Sequence, residues 1–403
     1  MRIRSVKTHI VDTPIPEEHR VRSGAGYKLA RQAAFVEITT DEGITGYGPC
    51  SFGSASLDLG SVASLCDNTF APALVGEDPH RIEHLWDKLY YGSIVRVHGY
   101  RSVGVAILSA IDIALWDIKG KALGAPIYQL LGGAFQDPVP AYSSSVYWDT
   151  PEGAARQARA FVDAGFRAFK VKVGADVEND IASLHAIRDE VGYGIDMLVD
   201  ANQCYSRHLA LKVGRVLEQL DVLFFEEPLP IDDVDGHAFL ADKLDVRIAT
   251  GENMYTRWDF VPFIERRAVH VVQADTSRCG GISEAKRIFD LAGSFHLHAV
   301  PHTFSDALTV AASVHLVAAC SNAPVIEYDF TYNPIQTALV KNPPVPRDSV
   351  IELPTEPGLG VEIDWDFVAD NPYTGTIGIG AGSRPAFGLG FEAIADRTAT
   401  SLA

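Results

Sequence analysis

AFKVKVG (168–174), DMLVDANQ (196–203), VLFFEEPL (222–229), RIATGENM (247–254), VHVVQAD (269–275), HLHAVPHTF (296–304) and APVIEYDF (323–330) follow one another along the middle of the chain. Each is a short apolar run that closes on polar side chains. Between successive runs lies one stretch with helical spacing, such as DVENDIASLHAIRDEVG (176–192) or SEAKRIFDLAGSF (283–295). With VPAYSSS (139–145) in front, the pattern is eight strands and seven good helices. Strands alternating with single helices imply right-handed crossovers and a parallel sheet. Eight such units fit a closed (β/α) barrel better than an open sheet, which would show a Gly-rich phosphate loop after its first strand.

Catalytic groups of such barrels project from the C-terminal ends of the strands. Those ends carry Lys170 and Lys172, Asp200 and Asn202, Glu226 and Glu227, Glu252 and Asn253, then Asp275, His302 and Glu327. From Lys172 onward the gaps are 28, 26, 26, 23, 27 and 25 residues, one functional group per unit on one rim. Strand alternation puts Lys170 and Lys172 on one face, with Val171 and Val173 toward the helices. Asp200, Glu226 and Glu252, on adjacent strands, would repel one another unless a cation joined them. An all-oxygen set without thiolate favours Mg²⁺. Alternation lets one of Glu226 and Glu227 face the centre, and we assign Glu226. Asp275 beside His302 would fix the tautomer of the imidazole and raise its basicity. His298 shares the parity of His302 and reads as a core histidine. A structural ion network of Lys170 and Lys172 with Asp200 and Glu226 stays open as the plain alternative, as do solvated rim carboxylates.

Lys172 and His302 come from opposite sides of the barrel mouth, with the acidic strands between. That arrangement suits abstraction of a proton beside a carboxylate, with re-protonation or elimination to follow. Most of the barrier is enolate charge, which Mg²⁺ and Lys170 would stabilise, with Glu327 as a protonated donor.

The flanks bound the rest. Residues 1–130 read as an α+β unit, with a hairpin from AFVEITT to ITGYGP and a helix entered at Asp78-Pro79. Residues 131–335 form the barrel, and 336–403, Pro-rich at first, are expected to run back over the N-terminal unit. The chain has 403 residues, 34 Lys and Arg against 52 Asp and Glu, and a net charge of −18. Such acidity argues against nucleic acid and membrane surfaces. Five scattered cysteines without a CxxC suggest reduced thiols in a cytoplasmic protein. The longest apolar stretch, Ala307 to Cys320, is too short to span a bilayer.

IDIALWDIKGKALGAPIYQLLGG (111–133), KVK (170–172), VDAN (199–202), FFEEP (224–228), TGEN (250–253), QAD (273–275), VPH (300–302), IEYD (326–329) and EPGLGVEI (356–363) together resemble the enolase superfamily, mandelate racemase subgroup, over nearly the whole chain. The resemblance implies a (β/α)7β modified TIM barrel under an N-terminal α+β capping domain. It implies Asp200, Glu226 and Glu252 as ligands of one Mg²⁺, Lys172 and His302 as the two bases, Asp275 as partner of His302, Lys170 near the substrate carboxylate and Glu327 as hydrogen-bond donor. That base-and-Mg²⁺ chemistry is the family's. It further implies a homo-oligomer, octamers being common. Two Gly-containing basic segments, 19–32 and 90–102, are expected as lids over a small hydroxy-acid substrate. Asn202, Arg22, Tyr27, Lys28, Arg96 and His98 are their candidate substrate contacts, although Arg22 and Lys28 read equally as solvated surface. The expected reaction is dehydration of an acid sugar, an aldonate or aldarate. The rivals are racemisation or epimerisation, cycloisomerisation of a sugar lactone, and an inactive barrel that only binds.

Overall fold

The computed structural model describes residues 1–24, 26–50 and 58–375, with the backbone of 379–380. Residue 25 of the first lid segment and the remainder of 376–403 lie outside the described residues.

Three antiparallel strands, β1 (Ile3–Pro14), β2 (Ala30–Thr40) and β3 (Thr45–Cys50), form one sheet in that order. Against it pack α1 (Ile82–Tyr91), α2 (Ser93–His98) and the 21-residue α3 (Val103–Leu123). α3 is apolar nearly all round because the sheet covers one side and the barrel the other. It stops at Gly124, whose φ of +65° makes the left-handed cap. β3 lies directly on α3: a Cβ on Gly48 would sit 1.9 Å from the Ala110 carbonyl oxygen. The Asp78-Pro79 start is corrected by three residues. Asp78 Oδ1 accepts from His80 N at 3.0 Å in a separate turn, and the helix begins at Ile82.

The alternating segment is β4 (Val139–Val146), α4 (Pro151–Asp163), β5 (Ala168–Lys172), α5 (Val177–Val191), β6 (Asp196–Asp200), α6 (Arg207–Gln219), β7 (Val222–Glu226), α7 (Val234–Lys243), β8 (Arg247–Thr250), α8 (Thr256–Glu265), β9 (Val271–Val272), α9 (Gly281–Ser294), β10 (His298–Ala299), α10 (Ala307–Ala318) and β11 (Ile326–Asp329). Thr150, Asp176, Ser206, Asp233 and Asp306 each accept from backbone N–H groups in the first turn of the following helix. Those caps are why each loop turns into a helix where it does. The strands are all parallel, β4 to β10 pair in sequence, and β11 pairs β4. At the β10/β11 seam Thr303 N donates to Glu327 Oε2 at 3.1 Å.

Outward side chains such as Phe169, Val171, Val199 and Phe225 join the helices in the main core. Inside, Tyr142, Leu198, Phe224, Ala249, Val271 and Val300 form an apolar plug, so the barrel is filled beneath its polar upper rim. A cavity of about 540 Å³ opens under this plug at the opposite mouth. His298 is exposed at its edge rather than buried in the core, because β10 begins there and its first side chain meets solvent.

Beyond β11, Val350–Ile351 pairs antiparallel with the start of β4. The chain then crosses to the N-terminal sheet. Leu359 N donates to Asp117 Oδ1 at 2.9 Å, Trp365 stacks edge-on to His9 at 5.0 Å, and Asp12 N donates to the Asn371 carbonyl. Residues 379–380 pair antiparallel with Gly26–Lys28 of the first lid segment.

Candidate active site

Strand register builds the rim. Lys172 on β5 lies opposite Asp200 on β6, and Asp200 lies opposite Glu226 on β7. Glu252 follows two residues beyond β8, past Gly251 at φ +141°. Asp275 and His302 likewise stand three residues beyond β9 and β10, so the strands are shorter than their sequence runs and the last polar groups sit on loops. One carboxylate oxygen each from Asp200, Glu226 and Glu252 come within 4.8 Å of one another.

Two lysines meet this triad. Lys170, fully buried, places Nζ 3.0 and 3.1 Å from the Glu226 oxygens, 2.6 Å from Glu327 Oε1 and 3.8 Å from Asp200 Oδ2. Burial opposes its charge, yet Glu226 and Glu327 hold the ammonium protonated well above the usual lysine value. Lys172 donates to Asp200 Oδ2. Burial likewise opposes that ammonium, and the Asp200 charge more than offsets it. Asp200 also accepts from Asn202 N at 2.7 Å and from Asn202 Nδ2 at 3.1 Å. Burial pushes the Glu226 carboxyl up to about 8, against the pull of Lys170.

His302 enters from the other side. Its Nδ1 lies 2.8 Å from Asp275 Oδ2, and its Nε2 lies 3.3 Å from Glu252 Oε2. Asp275 Oδ1 accepts from Ser277 N at 2.8 Å and Ser277 Oγ at 2.6 Å, which locks the carboxylate plane toward the ring. Burial opposes the imidazolium, but Glu252 and Asp275 raise its pKa above the ordinary histidine value. Burial in the opposite sense would raise Glu252, and His302 and Lys172 bring it down to about 2. At Glu327 burial favours the neutral form, while Lys170, 2.6 Å from Oε1, and His302 favour the carboxylate.

The first lid segment forms a hairpin, Arg22–Ser23 with Gly26–Lys28, seated on the rim. A Cβ on Gly24 would meet Cys204 Sγ at 2.7 Å and Asn202 Cβ at 3.0 Å, so only glycine allows this seating. Lys28 is buried over the site, with Nζ 3.6 Å from the centre of the Phe304 ring. Arg22 is exposed and lies over Trp148 at 5.8 Å, and Tyr27 is half-buried on the alternate face of its strand. The second lid segment is not a loop through its middle. Ser93–His98 is α2, held by Val95 in the cap core, and it turns Arg96 and His98 to solvent. The structure does not bring these two to the site.

Three residues at the site escaped sequence reasoning, and a fourth, Glu227, was set aside there in favour of Glu226. Glu227, at φ +40°, breaks strand alternation and buries its carboxylate against Asn253 Nδ2 at 2.9 Å and Gln203 Nε2 at 3.1 Å. Arg278 donates to the Glu252 carbonyl at 2.6 Å. Arg31 pairs with Asp329 at 2.9 Å across the cap–barrel junction, and Phe304 lies between Arg31 and Lys28. Adjacency to EE, TSR and HTF motifs was the available signal, but it does not say where a loop side chain turns.

Family models match the chain in two places. Residues 6–132 match the mandelate racemase/muconate lactonizing enzyme N-terminal domain, and residues 153–367 match the enolase C-terminal domain-like family. The chain belongs to the mandelate racemase/muconate lactonizing enzyme family of the enolase superfamily. Arabinonate dehydratase of Saccharolobus solfataricus is 37% identical over 81% of this chain and 87% of its own length. D-galactarolactone cycloisomerase of Agrobacterium fabrum is 32% identical over 92% and 98%. A mandelate racemase candidate from Bordetella bronchiseptica RB50, complexed with 2-oxoglutarate/phosphate, is 46% identical with a TM-score of 0.87, covering 93% of this chain and 99% of that one.

Enolase superfamily membership implies a divalent metal, and the residues present fit one. The triad is all oxygen and convergent; burial first, and then the charges of Asp200, Glu327 and Glu252, push the Glu226 carboxyl up, a burden that a cation relieves. Asn202 Oδ1, buried beside Asp200, has no hydrogen-bond partner among the described residues.

Proposed function

We propose that this enzyme removes the α-proton of a hydroxy-carboxylate with the help of one Mg²⁺ and then expels the β-hydroxyl, dehydrating an acid sugar. The observation that carries the reading is the flanked triad. Lys172 reaches it at Asp200, and His302 reaches it at Glu252, so a substrate held between has a proton-transfer group on each side. Mg²⁺ on Asp200, Glu226 and Glu252 would supply charge stabilisation for the enolate. The chain's own groups do the rest. Lys170, between Glu226 and Glu327, offers an ammonium to the substrate carboxylate. Asp275 holds Nδ1 of His302, so Nε2, on the side of Glu252, is the nitrogen that exchanges a proton with substrate or with the departing hydroxyl. Lys172 serves the opposite face. The apolar plug below and the seated hairpin above exclude water, which strengthens every one of these interactions.

Arabinonate dehydratase among the relatives supports this reading. So does 2-oxoglutarate in the Bordetella protein, because a 2-keto acid is what dehydration of a 2,3-dihydroxy acid leaves after tautomerisation. The cycloisomerase relative makes lactone isomerisation the second reading. Five free, buried cysteines fit a cytoplasmic setting, and among the described residues no helix is long and apolar enough to cross a membrane. Assembly into a homo-oligomer belongs to the same proposal. The test is incubation with a library of acid sugars and Mg²⁺, followed by NMR and mass measurement. Loss of one water is the expected outcome; solvent deuterium entering at unchanged covalent composition would replace dehydration with isomerisation.

A further inference from the structure

Lys28 is 4% exposed at the roof of the site, and among the described residues its ammonium makes no ion pair and no hydrogen bond. It rests on the face of Phe304, with Nζ 3.6 Å from the ring centre. The neighbouring cation is already committed. Arg31 shares that ring at 5.1 Å, but its guanidinium pairs with Asp329 at 2.9 Å and donates to Thr331 Oγ1 at 2.8 Å and to the Tyr332 carbonyl at 3.1 Å. Among the described residues the roof therefore holds the cations Lys28 and Arg31 and the carboxylate of Asp329, with Lys172 and Glu252 also in the field of Lys28. A buried ammonium without a counter-ion is costly unless a ligand supplies the missing charge.

Its distance from the chemistry is that of a short carbon chain. The Phe304 ring centre lies 6.4 Å from that of His302, so Lys28 Nζ is no more than about 10 Å from the imidazole. Backbone pairing of Lys28 with residue 379 on one side, and of its hairpin across Arg22–Tyr27 on the other, fixes this placement. Tyr147, 4% exposed, adds a hydroxyl without a hydrogen-bond partner among the described residues, in the field of Asp329, Arg31, Lys172 and Glu327.

Resting on the dehydratase reading above, we propose that Lys28 binds the distal carboxylate of the substrate, which makes the substrate class dicarboxylic sugar acids (aldarates) rather than aldonates. A primary alcohol at that end could accept a hydrogen bond from Lys28 but would leave its charge uncompensated. A carboxylate does both, and charge-assisted bonds are about twice as strong as neutral ones. Burial and the nearby Arg31 already push the Lys28 ammonium well below its usual pKa, and an arriving anion reverses that pressure. The surface charge of −18 gives a dianion no general attraction, so its recognition has to be local.

The experiment uses the full chain with Mg²⁺ and matched pairs that differ only at the far carbon, galactarate with galactonate and glucarate with gluconate. The unmodified enzyme is expected to favour the diacid by about 100-fold or more in kcat/KM, the order of discrimination that a site with an otherwise unpaired buried charge achieves. Lys28→Met, which keeps the stem packed on Phe304, removes that preference by lowering diacid turnover by a far larger factor than aldonate turnover. Lys28→Arg keeps the diacid preferred. Equal turnover of both acids by the unmodified enzyme, or an equal loss for both in Lys28→Met, overturns the assignment while the dehydratase reading stands. No water loss and no α-deuterium exchange with any acid of either class overturns the dehydratase reading and this assignment with it.

Discussion

Asp275→Asn isolates the dyad with little change of shape. Asp275 is 1% exposed, and its Oδ1 is occupied by Ser277 N and Ser277 Oγ. An asparagine keeps its carbonyl oxygen there, because both partners are donors, and so turns its NH₂ toward His302 Nδ1, 2.8 Å from the present Oδ2. The amide then donates to Nδ1, and the imidazole must carry its proton on Nε2, the nitrogen that faces Glu252 and the substrate space. A ring in that tautomer accepts no proton from substrate. The variant also loses a negative charge that helps to hold the imidazolium, so the His302 pKa falls. A positioned acid–base group is worth about 10²–10⁴ in rate, or about 3–5 kcal/mol in the barrier. The expected kcat/KM loss for dehydration lies in that range, with the acid limb of the pH–rate profile moved to lower pH. Exchange of the α-proton on the Lys172 face should persist in deuterated solvent. The assay is steady-state product formation combined with NMR of the substrate α-position. A loss under tenfold with an unmoved pH profile would refute the view that Asp275 acts by setting the tautomer of His302.

Lys170→Met leaves Glu226, Glu327 and Asp200 without the cation that they share. Removing one partner of a buried pair costs about 3–5 kcal/mol, so chemical denaturation of the metal-free protein should show a clearly earlier midpoint, part of which added Mg²⁺ restores. Metal affinity should rise with pH. The Glu226 carboxyl, pushed up to about 8 by burial, must give up its proton to bind, so calorimetry in buffers of different ionisation enthalpy should find proton release on Mg²⁺ binding and an affinity that weakens below that pH. A pH-independent affinity with no proton release would contradict it. Gly24→Val meets Cys204 and Asn202 and holds the hairpin off the rim. KM should rise more than kcat falls, with an unchanged thermal midpoint; an unchanged KM would show that the hairpin does not close the site.

Much of this protein is legible in its residues alone because a parallel barrel repeats one simple unit. Apolar runs buried on both faces and capped helices with Asp, Ser or Thr at their starts define the order of elements. Alternation then assigns Lys170 and Lys172 to the same interior face, next to Asp200 and Glu226. Alternation is a property of extended backbone, however, and it stops where the strand stops. Glu227 lies one residue past β7 at φ +40°, so strand parity could not show that it too would be buried beside the cluster. For the same reason Glu252, Asp275 and His302 were identifiable as rim residues, but their mutual distances were not.

The lids mark the other boundary. Their composition, basic and glycine-containing, is visible in the chain, but whether a lysine meets solvent or a catalytic site depends on what packs above it. Lys28 is buried because a hairpin seats through Gly24 onto Asn202 and Cys204 and presses the side chain onto Phe304, all from distant parts of the chain. Arg96 and His98 are exposed because Val95 turns their helix into the cap core. The environment of Glu327 belongs to the same class, since the pull on a carboxyl in an apolar strand depends on whether a cation such as Lys170 stands 2.6 Å away. Local sequence thus determined the order of strands and the kinds of groups on the rim, because hydrophobic period and capping act over a few residues. Only the tertiary structure decided which of those groups are charged, which touch and which face a ligand, because burial and Coulomb interaction act between residues that the chain keeps far apart.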